Sequence, residues 1–164
     1  MKLIAVAVAA GPALVVASPS RAASEIVELA SHASGKCLQP TSGLQGVAIV
    51  QETCNGSVAQ QWTQTQSPSS SNALHYVNRA TGYCLDARGG ATNGTPIEQW
   101  TCDQISNENW AFGVGNTLND SELVSRVSGS WTDCISTPGT ANGAAMLLYS
   151  CNGSLPEFWS LLYV

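Results

Sequence analysis

The chain has 164 residues and a formal net charge of −5 at pH 7, with 10% charged and 44% apolar side chains. That length suits one domain and leaves little room for two. The acidic balance argues against nucleic-acid binding, whose affinity comes largely from Lys and Arg neutralising phosphates.

Residues 1–22 read as a secretory signal peptide. Lys2 supplies a positive start, residues 3–16 are apolar except for Gly11 and Pro12, and Ser20-Arg21-Ala22 fits a small-x-small cleavage site. Cleavage there starts the mature chain near Ala23, with cleavage after Ala17 as the alternative. A membrane anchor is the competing reading, but the run is shorter than the roughly 20 residues needed to span a bilayer. Without residues 1–22, four basic side chains face eleven acidic ones, a formal net of −7. The expected location is therefore secreted and extracellular, with no membrane partner.

The remaining chain, 23–164, is rich in Ser, Thr, Asn, Gln and Gly and shows short strand patterns divided by turns. Residues 26–29, 74–77 and 122–124 each open a unit, and each is followed by a turn and then Cys-Leu or Cys-Ile. Gly and Asn cluster between the strands, as at Gly89-Gly90, Asn93-Gly94 and Asn142-Gly143. No segment holds a helical apolar period over three turns, so the chain is expected to be all-β with about four short strands per unit. Residues 66–72 and 113–119 read as linkers between units.

The cysteines and tryptophans make the repetition explicit. Cys37 and Cys54 are 17 apart, Cys84 and Cys102 are 18 apart, and Cys134 and Cys151 are 17 apart. Trp62, Trp110 and Trp159 each follow the second cysteine of a pair by eight residues, and successive tryptophans are 48 and 49 residues apart. This is an internal repeat with a period near 48, covering about residues 24–66, 72–114 and 119–164. Six cysteines in a secreted chain read as three disulfides, and of the fifteen possible pairings the register prefers one within each repeat. With no C-x-x-C pair and only His32 and His75, a metal site is not expected, nor is any cofactor. Units that cannot each bury an apolar face should close around a shared core, to which the three tryptophans contribute.

These residues together resemble the ricin B-type lectins, a family of β-trefoil carbohydrate-binding modules, over about residues 24–164. The signature is a thrice-repeated Q-x-W, here Gln60-Gln61-Trp62, with Glu108-Asn109-Trp110 and Glu157-Phe158-Trp159 carrying Glu for Gln. Cys84-Leu85-Asp86 adds a second motif. The resemblance implies a β-trefoil with pseudo-threefold symmetry and the pairing Cys37–Cys54, Cys84–Cys102 and Cys134–Cys151, in agreement with the spacing.

It also implies one sugar pocket per repeat, built from an Asp after the first cysteine, a Gln and an aromatic before the second, and an Asn ahead of Q-x-W. In the second repeat these positions hold Asp86, Glu98, Trp100, Asn107 and Glu108, so the Asp, aromatic and Asn are present while both Gln are Glu. The first repeat has Gln39, Val50, Glu52, Ala59 and Gln60, losing the carboxylate, platform and amide; the third has Ser136, Leu147, Tyr149, Pro156 and Glu157, keeping only the aromatic. A carboxylate accepting from vicinal hydroxyls makes charge-assisted bonds, and an indole covers the sugar's C–H face. Each residue has a plain structural alternative: Asp86 and Asn107 as turn residues, Trp100 as core. Glu108 facing Asp86 would set like charges together and raise a pKa, with sugar affinity expected to weaken at high pH and Glu108→Gln to tighten it.

The expected function is a secreted, non-catalytic lectin with one sugar site, its ligand a galactose- or xylose-type glycan. A trefoil used as a protein-interaction or inhibitor scaffold, its sugar sites decayed, is the alternative. A glycosidase using Asp86, Glu98 and Glu108 is disfavoured because the trefoil occupies the whole mature chain. The four N-x-S/T sequons, at Asn55, Asn93, Asn119 and Asn152, matter only in a host that glycosylates.

Overall fold

The computed structural model describes residues 24–70, 72–113 and 121–164. The expected signal peptide lies outside the described residues, as do Asn119 and all of the second linker except Gly113. The first repeat contains β1 (Glu25–Ser31), β2 (Lys36–Pro40), β3 (Ile49–Thr53) and β4 (Gln61–Gln66). The second contains β5 (Leu74–Asn78), β6 (Cys84–Asp86), β7 (Thr95–Pro96), β8 (Glu98–Trp100) and β9 (Trp110–Phe112). The third contains β10 (Ser121–Ser125), β11 (Asp133–Ser136), β12 (Leu147–Ser150) and β13 (Phe158–Tyr163). Strand β7 is one more than the turn spacing predicts; its two residues pair with β12 of the third repeat. There is no α-helix among the described residues, only 3-10 turns at Val58–Gln60, Ser106–Glu108 and Leu155–Glu157 that lead into β4, β9 and β13.

The first and last strands of each repeat form a closed antiparallel ring. β1 pairs with β4, β4 with β5, β5 with β9, β9 with β10, β10 with β13, and β13 returns to β1. Closure leaves this barrel with no free edge. The inner strands make three hairpins, β2–β3, β6–β8 and β11–β12, attached through β1, β5 and β10. A six-stranded barrel carrying three hairpins is a β-trefoil.

The tryptophans of the repeat are the largest wholly buried side chains: Trp62, Trp110 and Trp159 are each 0% exposed. A buried indole must still satisfy its N–H. Each does so on the residue after the repeat's first cysteine, donating to the carbonyl oxygens of Leu38 (3.2 Å), Leu85 (2.9 Å) and Ile135 (3.0 Å). The repeat thus ties its last strand to its second strand by the same bond three times. Around the indoles lie Leu29, Leu38, Ile49, Tyr76, Leu85 and Ile97, among others. The disulfides are Cys37–Cys54, Cys84–Cys102 and Cys134–Cys151, as the register and the resemblance predict. Each closes a loop of about 17 residues, worth roughly 3 kcal/mol by the chain-entropy argument.

The repeats also dock onto each other through turn glycines. Gly46 donates its amide to the Gln99 carbonyl (2.8 Å), Gly94 to that of Leu148 (2.8 Å) and Gly143 to that of Gln51 (2.9 Å). All three have positive φ, and a Cβ on Gly46 would come within 2.9 Å of Trp100 Cζ3. Each repeat's turn therefore supports the hairpin of the next, and the first repeat's turn supports the strand that carries Trp100.

Candidate functional site

The site residues of the second repeat come from three places: β6 brings Asp86, β8 brings Glu98 and Trp100, and the 3-10 turn Ser106–Glu108 brings Asn107 and Glu108. The β6–β8 register sets Cys84 opposite Trp100 and Asp86 opposite Glu98. The short turn is what brings Asn107 back to β6: Ala87 donates its amide to the Asn107 carbonyl (3.0 Å), and Asn107 Nδ2 donates to Asp86 Oδ1 at 2.6 Å.

Asp86 is fully buried, Asn107 nearly so, and Asp86 Oδ2 has no hydrogen-bond partner. Burial pushes the Asp86 carboxyl up to about 6, opposed by the Asn107 bond and the Arg88 charge and reinforced by Asp103 and Glu98. Trp100 and Glu98 are partly exposed. The Trp100 ring is not bare, however: the Arg88 guanidinium carbon lies 3.6 Å from its centroid, a cation–π stack. Arg88 also lines a cleft of about 330 Å³ with Ile105, Ser106, Asn107 and Val127. It thus joins the indole to the Asn107 side of the site. A larger cleft of about 490 Å³ lies by Phe112, Val124 and Trp131, and no predicted sugar-site residue lines it.

Glu108 occupies a different role from the one its motif position suggested. It is fully buried and its two oxygens accept from the backbone amides of Asp103 and Gln104, both at 2.9 Å. In the third repeat Glu157 Oε2 accepts from the amides of Asn152 (2.9 Å) and Gly153 (3.1 Å). In the first, Gln60 Oε1 accepts from the Asn55 amide (2.8 Å) while Nε2 donates to Gln39 Oε1 (3.0 Å). The first residue of Q-x-W therefore fastens the loop after the second cysteine, and as Gln it also donates to the residue at the Asp86 position. Glu108 keeps the first task and, with both oxygens turned to the loop amides, does not perform the second. Asp86 Oδ2 is left unpaired.

Burial is also the first cause of a rise in the Glu108 pKa to about 7, opposed by its two amide bonds, with the Asp103 and Asp86 charges adding to it. Both carboxyls hold protons in the folded state above their ordinary 3.8 and 4.5. Between those values and about 6 to 7 these two carboxyls bind more protons in the folded chain than in the unfolded one, so their contribution to stability falls as pH rises; His75, 4.0 Å from Glu108 and with its pKa lowered by burial, opposes them. The melting temperature is expected to drop by several degrees from pH 5 to pH 8 on account of this pair. Glu108→Gln removes that titration and should flatten the decline, although its single amide oxygen can accept from only one of the two loop amides. Thermal melts of both proteins across that range check it; parallel curves would contradict it.

The other repeats lack this assembly. Gln39 is held by Gln60, Glu52 stands where Trp100 does, and Ala59 offers no amide. Tyr149 is 37% exposed but has Ser136 and Pro156 for partners in place of a carboxylate and an amide. Among the described residues, three groupings could supply metal ligands, Glu28 with Cys37 and Cys54, His75 with Cys84 and Glu108, and Glu122 with Cys134 and Cys151. Every one draws on cysteines already committed to disulfides.

The residue that sequence reasoning missed is Arg88. Its only signal was charge: it is the one basic side chain in residues 82–110, among Asp86, Glu98, Asp103 and Glu108.

Comparison with known proteins agrees with the β-trefoil fold. Nigrin b of Sambucus nigra is 29% identical over 72 residues, which are 43% of this chain and 11% of nigrin b; the chain spans about a tenth of that relative. A designed threefold-symmetric protein, ThreeFoil, superposes with a TM-score of 0.76 at 24% identity over 85% of this chain and 99% of its own. An exo-β-1,3-galactanase from Clostridium thermocellum superposes with a TM-score of 0.78 at 25% identity, over 90% of this chain and 32% of the galactanase. The sequence profile of the ricin-type beta-trefoil lectin domain-like family matches residues 15–100, just over half of the chain, and the chain belongs to that family.

Proposed function

We propose that this protein is a secreted, non-catalytic carbohydrate-binding lectin whose sugar site lies in the second repeat. The observation that carries this reading is the bonded pair Asp86 and Asn107 with Trp100 on the paired strand, a set that neither other repeat retains. Asp86 Oδ2 offers an unfilled acceptor for a sugar hydroxyl, and Trp100 offers a platform for its apolar face once Arg88 leaves the ring. The ligand class is a galactose- or xylose-type glycan. Membership of a lectin family and the disulfide-stapled domain support binding and an extracellular location.

A catalytic reading has less support. Glycoside hydrolysis needs two carboxyl groups flanking the scissile bond. Glu108, one of the three candidates, has both oxygens engaged by backbone amides and is buried.

The alternative is a trefoil scaffold for protein partners, favoured by the loss of the Asp and Asn positions in two repeats of three. A glycan array on the intact protein distinguishes the two. Binding to galactose- or xylose-containing glycans is expected, and a blank array together with recovery of a defined protein partner would favour the scaffold.

A further inference from the structure

Arg88 covers one face of the Trp100 ring, its guanidinium carbon 3.6 Å from the centroid. A ligand using that face must therefore displace a cation. Two groups are left uncompensated when it goes. Trp100 loses the charge that its π-face attracts. Asp86 loses the one cation among the charges that act on it, while Asp103 and Glu98 remain. Asp86 is fully buried with Oδ2 unpaired, so it has no reserve donor to make up the difference. Glu98, directly across the β6–β8 ladder, is partly exposed and adds a carboxylate where the lectin motif has a neutral amide.

A neutral sugar replaces neither lost interaction. Its C–H groups cover the indole, but no positive charge returns to the carboxylates. An ammonium group on the sugar replaces both, as a cation against the ring and as a charge-assisted donor to a carboxylate oxygen. We propose that the second-repeat site selects a cationic saccharide, an amino sugar with a free ammonium, which takes over the place of the Arg88 guanidinium against Trp100 and the surrounding carboxylates. This rests on the carbohydrate-binding reading and narrows it. N-acetylation abolishes the charge, so the free and acetylated forms of one sugar separate the cationic contribution from ordinary sugar contacts.

The test is calorimetric titration of the full chain near pH 6 with short oligomers of galactosamine and of glucosamine, their N-acetylated counterparts, and neutral galactose and xylose oligomers. The better free-amine oligomer is expected to bind at least about tenfold more tightly than its acetylated form, a difference of about 1.4 kcal/mol. Glu98→Gln should shrink that ratio severalfold, and Trp100→Ala should remove the binding. Equal or tighter binding of the acetylated or neutral sugars overturns the amine preference alone. Amine binding that survives both Trp100→Ala and Asp86→Asn would reduce it to attraction by an acidic surface, which also overturns it. If no oligomer of any charge binds, the carbohydrate reading falls with it.

Discussion

Trp110→Ala is expected to lower the unfolding free energy by about 3 to 5 kcal/mol. The side chain is 0% exposed and belongs to the core shared by all three repeats, so its removal leaves a cavity that a closed barrel is poorly placed to collapse. The indole N–H also holds the Leu85 carbonyl at 2.9 Å, and deletion removes that bond from β6, the strand that ends in Asp86. A lost partner for a buried backbone group adds about 1 to 3 kcal/mol of penalty where no water replaces it. Trp62→Ala and Trp159→Ala should cost similar amounts, because each makes the same bond in its own repeat. Trp100 is the control: partly exposed and with no hydrogen bond to a carbonyl of this kind, it should cost far less on truncation. Urea unfolding of the four variants measures this directly. A Trp110→Ala midpoint close to that of Trp100→Ala would contradict the division between core and platform tryptophans.

The fold was legible because two residue types keep its register. A disulfide and an indole N–H bond both join residues within one repeat, so their spacing in the chain carries the geometry: 17 or 18 residues between cysteines, eight more to the tryptophan. Asp86 and Asn107 were legible through the family motif, and their contact is likewise internal to one repeat. The stack of Arg88 on Trp100 was not. It joins a residue just after β6 to one at the end of β8, a contact that no spacing rule encodes. Nor was the role of Glu108, since Glu and Gln fit the same motif position while only Gln can accept from the loop amide and also donate, as Gln60 does to Gln39. This changes the expected pH response of binding. The sequence suggested weaker binding at high pH from a clash of Asp86 with Glu108. With Glu108 held by backbone amides and the Asp86 carboxyl pushed up to about 6 by burial, ionisation of Asp86 creates the better sugar acceptor. Affinity should then rise as pH passes through about 6.

Asp86→Ala is expected to weaken saccharide binding about 10- to 100-fold. Asn107 holds Oδ1, so one charge-assisted hydrogen bond to Oδ2 of roughly 1.5 to 3 kcal/mol is at stake, and every 1.4 kcal/mol is a factor of ten. The fold should survive, because the Cys84–Cys102 disulfide and the Ala87 amide to Asn107 carbonyl bond both remain. Trp100→Ala should remove measurable binding, because it takes away the platform's contact area and about 0.5 to 1.5 kcal/mol beyond it. The location of the site is tested most directly by following the five tryptophan indole N–H signals and the Asn107 side-chain amide by NMR while a binding saccharide is added. Movement of the Trp100 and Asn107 signals is expected, with Trp62 and Trp159 still and all movement lost in Asp86→Ala. Movement centred on Trp131, or a response unchanged by Asp86→Ala, would contradict a sugar site in the second repeat.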